Sequence, residues 1–313
     1  MSLPALRAIR RQFPDAELVV LAKPWVADLY ARESWCDRII LYPAARGWRA
    51  RLRVARELRR ERFDCAILLQ NAFEAALIAF LARIPVRIGY DRDGRGLLLT
   101  TRVPVPEPGD IPPHQRFYYL EMLRRAGVID AIPDMPAIRL ERPDVPVTDT
   151  VGVSPGAAYG SAKRWLPERF AESAARLARA AGGGSVAIFG SRDERPLCDE
   201  VAQAVRAAGI EAHNYAGETT LKQFIEMAAR CRVFLTNDSG AMHIASALGV
   251  PTVTIFGATD HIATGPTGEL ARIVREPVSC APCLLRECPI DHRCMTGVTV
   301  DRVVDEASEL LKR

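Results

Sequence analysis

Hydrophobic positions along the chain fall into short continuous runs separated by stretches of helical period, and this alternation predicts a doubly wound α/β protein. In the first half the apolar runs are ELVVLA, DRIILY, FDCAILLQ and VRIGY. Trp48 to Arg62 and Phe73 to Arg83 read as helices between them, with further helices at Leu3 to Gln12 and His114 to Gly127. Pro133, Pro136, Pro143 and Pro146 then exclude both a continuous helix and a central strand. The pattern therefore predicts an N-terminal domain over 1–131, a Pro-rich linker over 132–148 and a C-terminal domain over 149–313. In the second half the alternation resumes with TVGVSPG, a helix from Pro167 to Ala181, SVAIFG and a helix from Glu194 to Ala208. Two Rossmann-like halves facing across a cleft are expected. Such a half normally opens with its central strand, whereas this chain opens with a helix, so the first strand of the N-terminal domain is expected to be missing.

The segment Val233 to Asp260, VFLTNDSGAMHIASALGVPTVTIFGATD, compresses a strand, a polar turn, a helix and a second strand into a βαβ-like unit. Asn237, Asp238, Ser239 and Gly240 occupy the turn, with side chains suited to capping the following helix. In open α/β sheets, ligands lie beyond the carboxyl ends of the strands, where a helix N-terminus offers free N–H donors to anions. Asp238, Ser239, Gly240 and His243 are thus either ligand-binding residues or, more simply, helix caps and a partly buried histidine. Another candidate, Ser154 to Trp165 (SPGAAYGSAKRW), follows a strand and consists of small residues ending in Lys163 and Arg164. It would suit a diphosphate, though it lacks the P-loop spacing and could be an ordinary surface loop. Glu194, in FGSRDE, could accept hydrogen bonds from ribose hydroxyls or serve as a first-turn helix acid.

Composition narrows the function classes. The net charge is only +4, and all but four of the 42 basic residues are arginine, the lysines being Lys23, Lys163, Lys222 and Lys312. No zinc-finger, helix-turn-helix or aromatic RNA-binding signature accompanies that charge, so nucleic acid is not an expected partner. No run reaches the ~20 apolar residues of a membrane span, and the amphipathic MSLPALRAIRRQF is not a secretion signal, which predicts a cytoplasmic protein. In that compartment eight cysteines are not a disulfide framework. Cys280, Cys283, Cys288 and Cys294, with His292 among them, could close a structural zinc site or remain reduced thiols or local disulfides. Asp91-Arg92-Asp93 resembles a metal-binding DxD, but the surrounding DRDGRG has turn composition. The run Arg46 to Arg62 carries eight arginines against two glutamates. It reads either as a solvated helix face or as a surface attracted to phosphorylated lipid or an anionic acceptor.

With TNDSGAMHIASALGVPTVTIFG, PGAAYGSAKRWLPERFAE, RIGYDRDGRGLLLT and CAPCLLRECPIDHRCM in view, the chain resembles glycosyltransferase family 9, of the lipopolysaccharide heptosyltransferase II type. The resemblance runs essentially end to end. It implies the GT-B architecture and inverting transfer of heptose from ADP-heptose to the lipopolysaccharide inner core, with no catalytic metal or other cofactor. The lipid A-bearing core acceptor would be met at the cytoplasmic face of the inner membrane. Carried over residue by residue, it places Gly156, Ala158, Tyr159, Lys163, Glu194, Thr219, Asp238, Ser239, Gly240 and His243 around the donor, with Lys163 on the diphosphate and Glu194 on the ribose. Lys163 and Asp238 would be catalytic. The family pattern reads WVGDAVMSLPALRAI at its start, and its aspartate is the presumed general base. This sequence begins at MSLPALRAI, so the base and the central strand are expected to lie outside it, leaving a chain that binds donor but transfers poorly. The competing readings are a catalytically silent nucleotide-sugar-binding GT-B protein and another GT-B enzyme such as a nucleotide-sugar epimerase.

Overall fold

In the computed structural model, which describes residues 1–43, 47–134 and 137–312, the chain divides into two units between Ile138 and Arg139. Arg46 of the arginine run and Pro136 of the Pro-rich stretch lie outside the described residues.

Unit 1 runs α1 (Leu3–Gln12), β1 (Val19–Ala22), α2 (Pro24–Tyr30), β2 (Arg38–Leu41), α3 (Trp48–Glu61), β3 (Cys65–Ile67) and α4 (Phe73–Leu81). It continues with β4 (Val86–Tyr90), β5 (Thr101–Val103) and α5 (Gln115–Arg125). All its strand pairs are parallel, but they form two sheets, β1-β2 and β3-β4-β5. Among the described residues β1 and β3 are therefore each paired along one edge only. The buried apolar side chains also form two clusters. One cluster gathers Ile9 of α1, Ile88 and Tyr90 of β4 and Leu120 and Leu123 of α5. The other gathers Ile40, Val54, Leu58, Ile78 and Ile84 and draws on both sheets, with Val19 of β1 and Ala66 of β3 packed against it. The DRDGRG segment is a turn: Asp93 (φ 54°) and Gly94 (φ 73°) take left-handed conformations, and Asp93 pairs with Arg92 rather than standing ready for a metal. Within that turn Arg95 is fully buried, donating to the carbonyls of Tyr90 and Gln70.

Unit 2 runs β6 (Val151–Ser154), α6 (Pro167–Ala180), β7 (Val186–Ile188), α7 (Arg195–Ala207), β8 (Ala212–Asn214), α8 (Leu221–Arg230) and β9 (Val233–Asn237). It ends with α9 (Gly240–Ala247), β10 (Thr252–Phe256), α10 (His261–Thr264), β11 (Ala271–Arg275), α11 (Arg293–Thr296) and α12 (Val300–Leu311). One fully parallel sheet has the order β11-β10-β9-β6-β7-β8, which is the doubly wound order with its switch point between β6 and β9. Each position of β6, β7, β9 and β10 is buried, because helices cover both faces of a central parallel strand. The core beneath it runs from Val151 and Phe170 through Ile188 and Leu235 to Ile255, Met295 and Leu310. Of the Pro-rich stretch, residues 139–148 lie along unit 2: the Leu140 amide donates to Ala247, Arg142 to Ala229, and the Thr148 amide to Arg230.

Candidate functional site

Lys163 and Asp238, singled out in the sequence, meet at the carboxyl edge of the unit 2 sheet, around its switch point. The loop after β6 ends in a short 3-10 turn, Ser161–Lys163, which brings Lys163 back over the edge. Its ammonium lies 2.6 Å from Asp238 Oδ2, at the turn between β9 and α9, with side-chain exposures of 12% and 8%. The pair is thus largely withdrawn from water. The Thr259 hydroxyl, just past β10, donates to the same carboxylate oxygen at 2.6 Å. Asn237 joins the two strand ends from beneath: its Nδ2 donates to the Pro155 carbonyl at 2.7 Å and its Oδ1 accepts from the Trp165 amide at 3.0 Å.

The capping expected of the Asn237–Gly240 turn is not what its side chains do. Ser239 holds the N-cap position of α9 but makes no side-chain cap bond; its hydroxyl lies 3.2 Å from that of Thr236. Asp238 turns to Lys163 and Thr259. The physical reason is competition: a largely buried carboxylate gains more from an ammonium and a hydroxyl than from one backbone N–H. The first-turn N–H groups of α9 are consequently left without these side chains. Gly240 opens that turn, and a Cβ built there would meet nothing within 4 Å, so packing does not demand glycine at this position. His243, one turn further, is half-buried, with its amide 3.5 Å from the Ser239 carbonyl.

Glu194 takes up its first-turn role. Its Oε2 accepts from the Ser191 amide at 2.8 Å and hydroxyl at 2.9 Å, closing a capping box. That bond leaves the carboxyl group resting on the β6 loop, where a Cβ at Gly156 would come within 2.2 Å of Oε1. A side chain at position 156 would have to displace this carboxyl group, so the two loops meet here in one surface. Thr219 sits just ahead of the α8 cap Thr220, in a loop whose Gly217 amide donates to Gly190 at 3.0 Å. Ala158 and Tyr159 are exposed on the β6 loop, and the Tyr159 ring stands between two cations, 5.3 Å from Lys163 Nζ and 5.6 Å from the Arg286 guanidinium carbon.

In the cysteine-bearing segment the thiols are free, as in one of the readings left open by the sequence. Cys280 and Cys283 are exposed and Cys288 half-buried, whereas Cys294 is buried in the main core. Among the described residues no three His, Cys, Asp or Glu side chains are gathered as a metal would need. The reason is that Cys294 Sγ is turned inward, lying 2.9 Å from where a Cβ on Gly257 would be. Burial, and then the neighbouring thiols Cys280, Cys288 and Cys283, push the Cys294 thiol up from its ordinary range. What the segment does do is fasten the β6 loop. The Arg286 carbonyl accepts from the Ala162 amide at 3.0 Å, Arg286 Nε donates to Tyr159 at 2.7 Å, and the Tyr159 hydroxyl donates to Leu284 at 2.7 Å. His292 Nε2 reaches the Ala162 carbonyl at 3.0 Å, acting as a tether and not as a ligand.

Sequence reasoning missed Thr259 and Arg286. Thr259 had a usable signal, because the βαβ unit makes β9 and β10 neighbours and so sets the residues after TVTIFG beside Asp238. Arg286 had none, since its bonds are made by a segment without regular structure more than a hundred residues from its partners.

The fold defines an α/β protein of the GT-B class. Comparison with known proteins takes the identification further. Residues 51–293 match the model of glycosyltransferase family 9 (heptosyltransferase), and the chain belongs to that family. It is 31% identical to lipopolysaccharide heptosyltransferase 2 of Salmonella typhimurium over 334 residues, covering 99% of this chain and 94% of the relative. It is 28% identical to lipooligosaccharide heptosyltransferase 2 of Campylobacter jejuni, covering 100% and 94%. Among solved structures, the E. coli ADP-heptose lipopolysaccharide heptosyltransferase II superposes with a TM-score of 0.82 at 27% identity, covering 99% and 94%. Among the described residues no helix is long and apolar enough to cross a membrane.

Proposed function

We propose that the protein transfers heptose from ADP-heptose to the inner core of lipopolysaccharide, with inversion at the anomeric carbon and without a catalytic metal. The observation that carries the reading is the Lys163–Asp238 pair at the switch-point edge, facing the first turn of α9. An ammonium has three donors, so Lys163 can keep Asp238 and still donate to a diphosphate. As ADP leaves, charge builds on its terminal phosphate while the sugar becomes cation-like. Lys163 and the α9 N–H groups are suited to the first, and Asp238, held in place by Thr259, to the second. Gly240 would let a phosphate approach the backbone closely, and Glu194 and Thr219 would take the nucleoside end. The names and end-to-end similarity of the relatives supply the donor and acceptor. The acceptor is lipid-borne, so the protein would work as a peripheral membrane enzyme at the cytoplasmic face.

The test is to incubate the protein with ADP-heptose and a core acceptor in excess EDTA and to follow ADP release and heptosylated product. Product formation supports the reading; ADP-heptose binding without transfer would leave a nucleotide-sugar-binding protein. A structural zinc on Cys280, Cys283, Cys288 and Cys294 is a further part of the proposal, supported by their spacing along one short segment and requiring the buried Cys294 thiol to turn outward. Metal analysis of the reduced protein should then find about one equivalent, lost with Cys283→Ser.

A further inference from the structure

From α3 we infer a bilayer-docking face: the outward stripe Arg49, Arg53, Arg56 and Arg60, flanked by the exposed Trp48, binds a membrane surface rich in anionic phospholipid headgroups. The inference deepens the transferase reading and rests on it for the reason to dock, though the docking measurement itself needs no transfer.

Spacings of four, three and four residues put these arginines on one line of the helix. The buried residues Ala50, Val54, Ala55 and Leu58 occupy the opposite side, so the stripe points directly away from the core. At 1.5 Å per residue it runs for roughly 16 Å. All four arginines are exposed, and none makes an ion pair among the described residues. Two arginines nearby do form ion pairs: Arg51 of the same helix with Glu74 at 2.8 Å and, from β2, Arg38 with Glu61 at 2.6 Å. Like charges at these spacings repel, so the stripe weakens the isolated helix and needs a reason outside it. Glu57 lies at its margin and pairs with none of them among the described residues.

On the other margin stand Trp48, 64% exposed, and Leu52, one turn on. Together with the arginines they form one continuous open surface along this face of the helix. A helix with cations opposite its core and an exposed tryptophan along one side has the composition that settles at a headgroup boundary, arginines on phosphate and indole among the glycerol groups. A nucleic acid would be expected to meet stacked aromatics or a groove-shaped surface, which α3 does not offer.

The experiment uses the full chain in co-sedimentation with vesicles of phosphatidylcholine alone, or of phosphatidylcholine with roughly a third phosphatidylglycerol. Binding is expected only to the second, weakening as salt rises. Each arginine near such a surface is worth about fivefold in partitioning, so Arg53→Gln/Arg56→Gln should weaken binding by roughly 25-fold. Arg176→Gln/Arg302→Gln, which removes the same charge from unit 2, should change it by less than about twofold. Absence of anionic-vesicle binding, equal loss in both double variants, or tighter binding to a short DNA duplex with the same arginine dependence overturns the inference. Transfer to a delipidated, water-soluble acceptor should be unchanged in Arg53→Gln/Arg56→Gln. If it falls as far as vesicle binding, the stripe reads the acceptor and not the bilayer. Should the parent dock but transfer nothing, the transferase reading fails while the docking face stands.

Discussion

Every position of β6, β7, β9 and β10 in unit 2 is buried, whereas β1, β2 and β3 of unit 1 together bury only Ala22 and Ile40. Their sequences do not foretell this. VVLA is no less apolar than VGVS. The difference lies in sheet continuity. In unit 2 each central strand has a neighbour on both sides, and the helices that follow those neighbours close over it. In unit 1 the parallel ladder is split in two, so that β1 and β3 each lack a neighbour along one edge among the described residues. Polarity decides which residues can be buried, but lateral pairing decides which are. The Lys163–Asp238 pair stands on the more continuous of the two frames, where its geometry is held by strands that cannot shift independently.

The sharpest way to break this comparison is at the pair itself. Lys163→Ala should destabilise unit 2 by about 3 to 5 kcal/mol, because it leaves Asp238 charged and largely buried without its partner. ADP affinity measured by calorimetry should fall roughly ten- to a hundredfold. Lys163→Met/Asp238→Leu should recover most of the stability and none of the affinity, and normal ADP binding by that double variant would make the pair purely architectural. Next in size are core truncations: Ile255→Ala in β10 should cost about 3 kcal/mol and Ile67→Ala in β3 under about 1 kcal/mol by denaturant unfolding. Equal losses would remove burial as the distinction between the units. Hydrogen exchange should order them in the same way, with β9 and β10 amides protected at least about tenfold longer than those of β1 and β3.

The smallest effect concerns acid. The Tyr42 hydroxyl first and Arg51 second hold Glu74 below the usual carboxylate range, and Arg124 first, then Arg125, does the same for Glu121. A carboxyl group whose folded pKa is depressed stabilises the fold above its unfolded pKa and loses that contribution as pH falls through the folded value. Both groups belong to unit 1. Between about pH 5 and pH 3, scanning calorimetry should therefore show the unit 1 transition dropping before that of unit 2. Concerted loss of both would contradict this.

Much of unit 2 was legible because its signals are local. The VFLTN strand, the α9 helix and the TVTIF strand follow one another within 28 residues, and the prolines at 133, 143 and 146 mark an irregular stretch without any knowledge of tertiary structure. Helices α3 and α6 fell within a residue of their expected ends. What could not be read was set at long range or at edges. β8 is three residues long with an exposed histidine at its centre, and β11 is a half-buried edge strand, so neither carries a clear period. The turn to Lys163 and away from capping was hidden as well, because the two partners of Asp238 arrive from opposite directions in sequence, 75 residues before and 21 after. Cysteine spacing left zinc, reduced thiols and local disulfides all open, because spacing does not say which way a thiol faces.

The tethers on the β6 loop carry a thermodynamic consequence. Ordering a free loop residue costs on the order of 1 to 2 kcal/mol in lost backbone entropy, a charge normally levied on the affinity of whatever the loop binds. Here Asn237, Leu284, Arg286 and His292 hold the loop from its first residue to Trp165 before any ligand arrives. That entropic cost has been moved from binding to folding. Residues of the 280–294 segment that need never touch a nucleotide would thus govern how tightly one is held, and sequence change there can tune affinity while leaving every contacting side chain as it is.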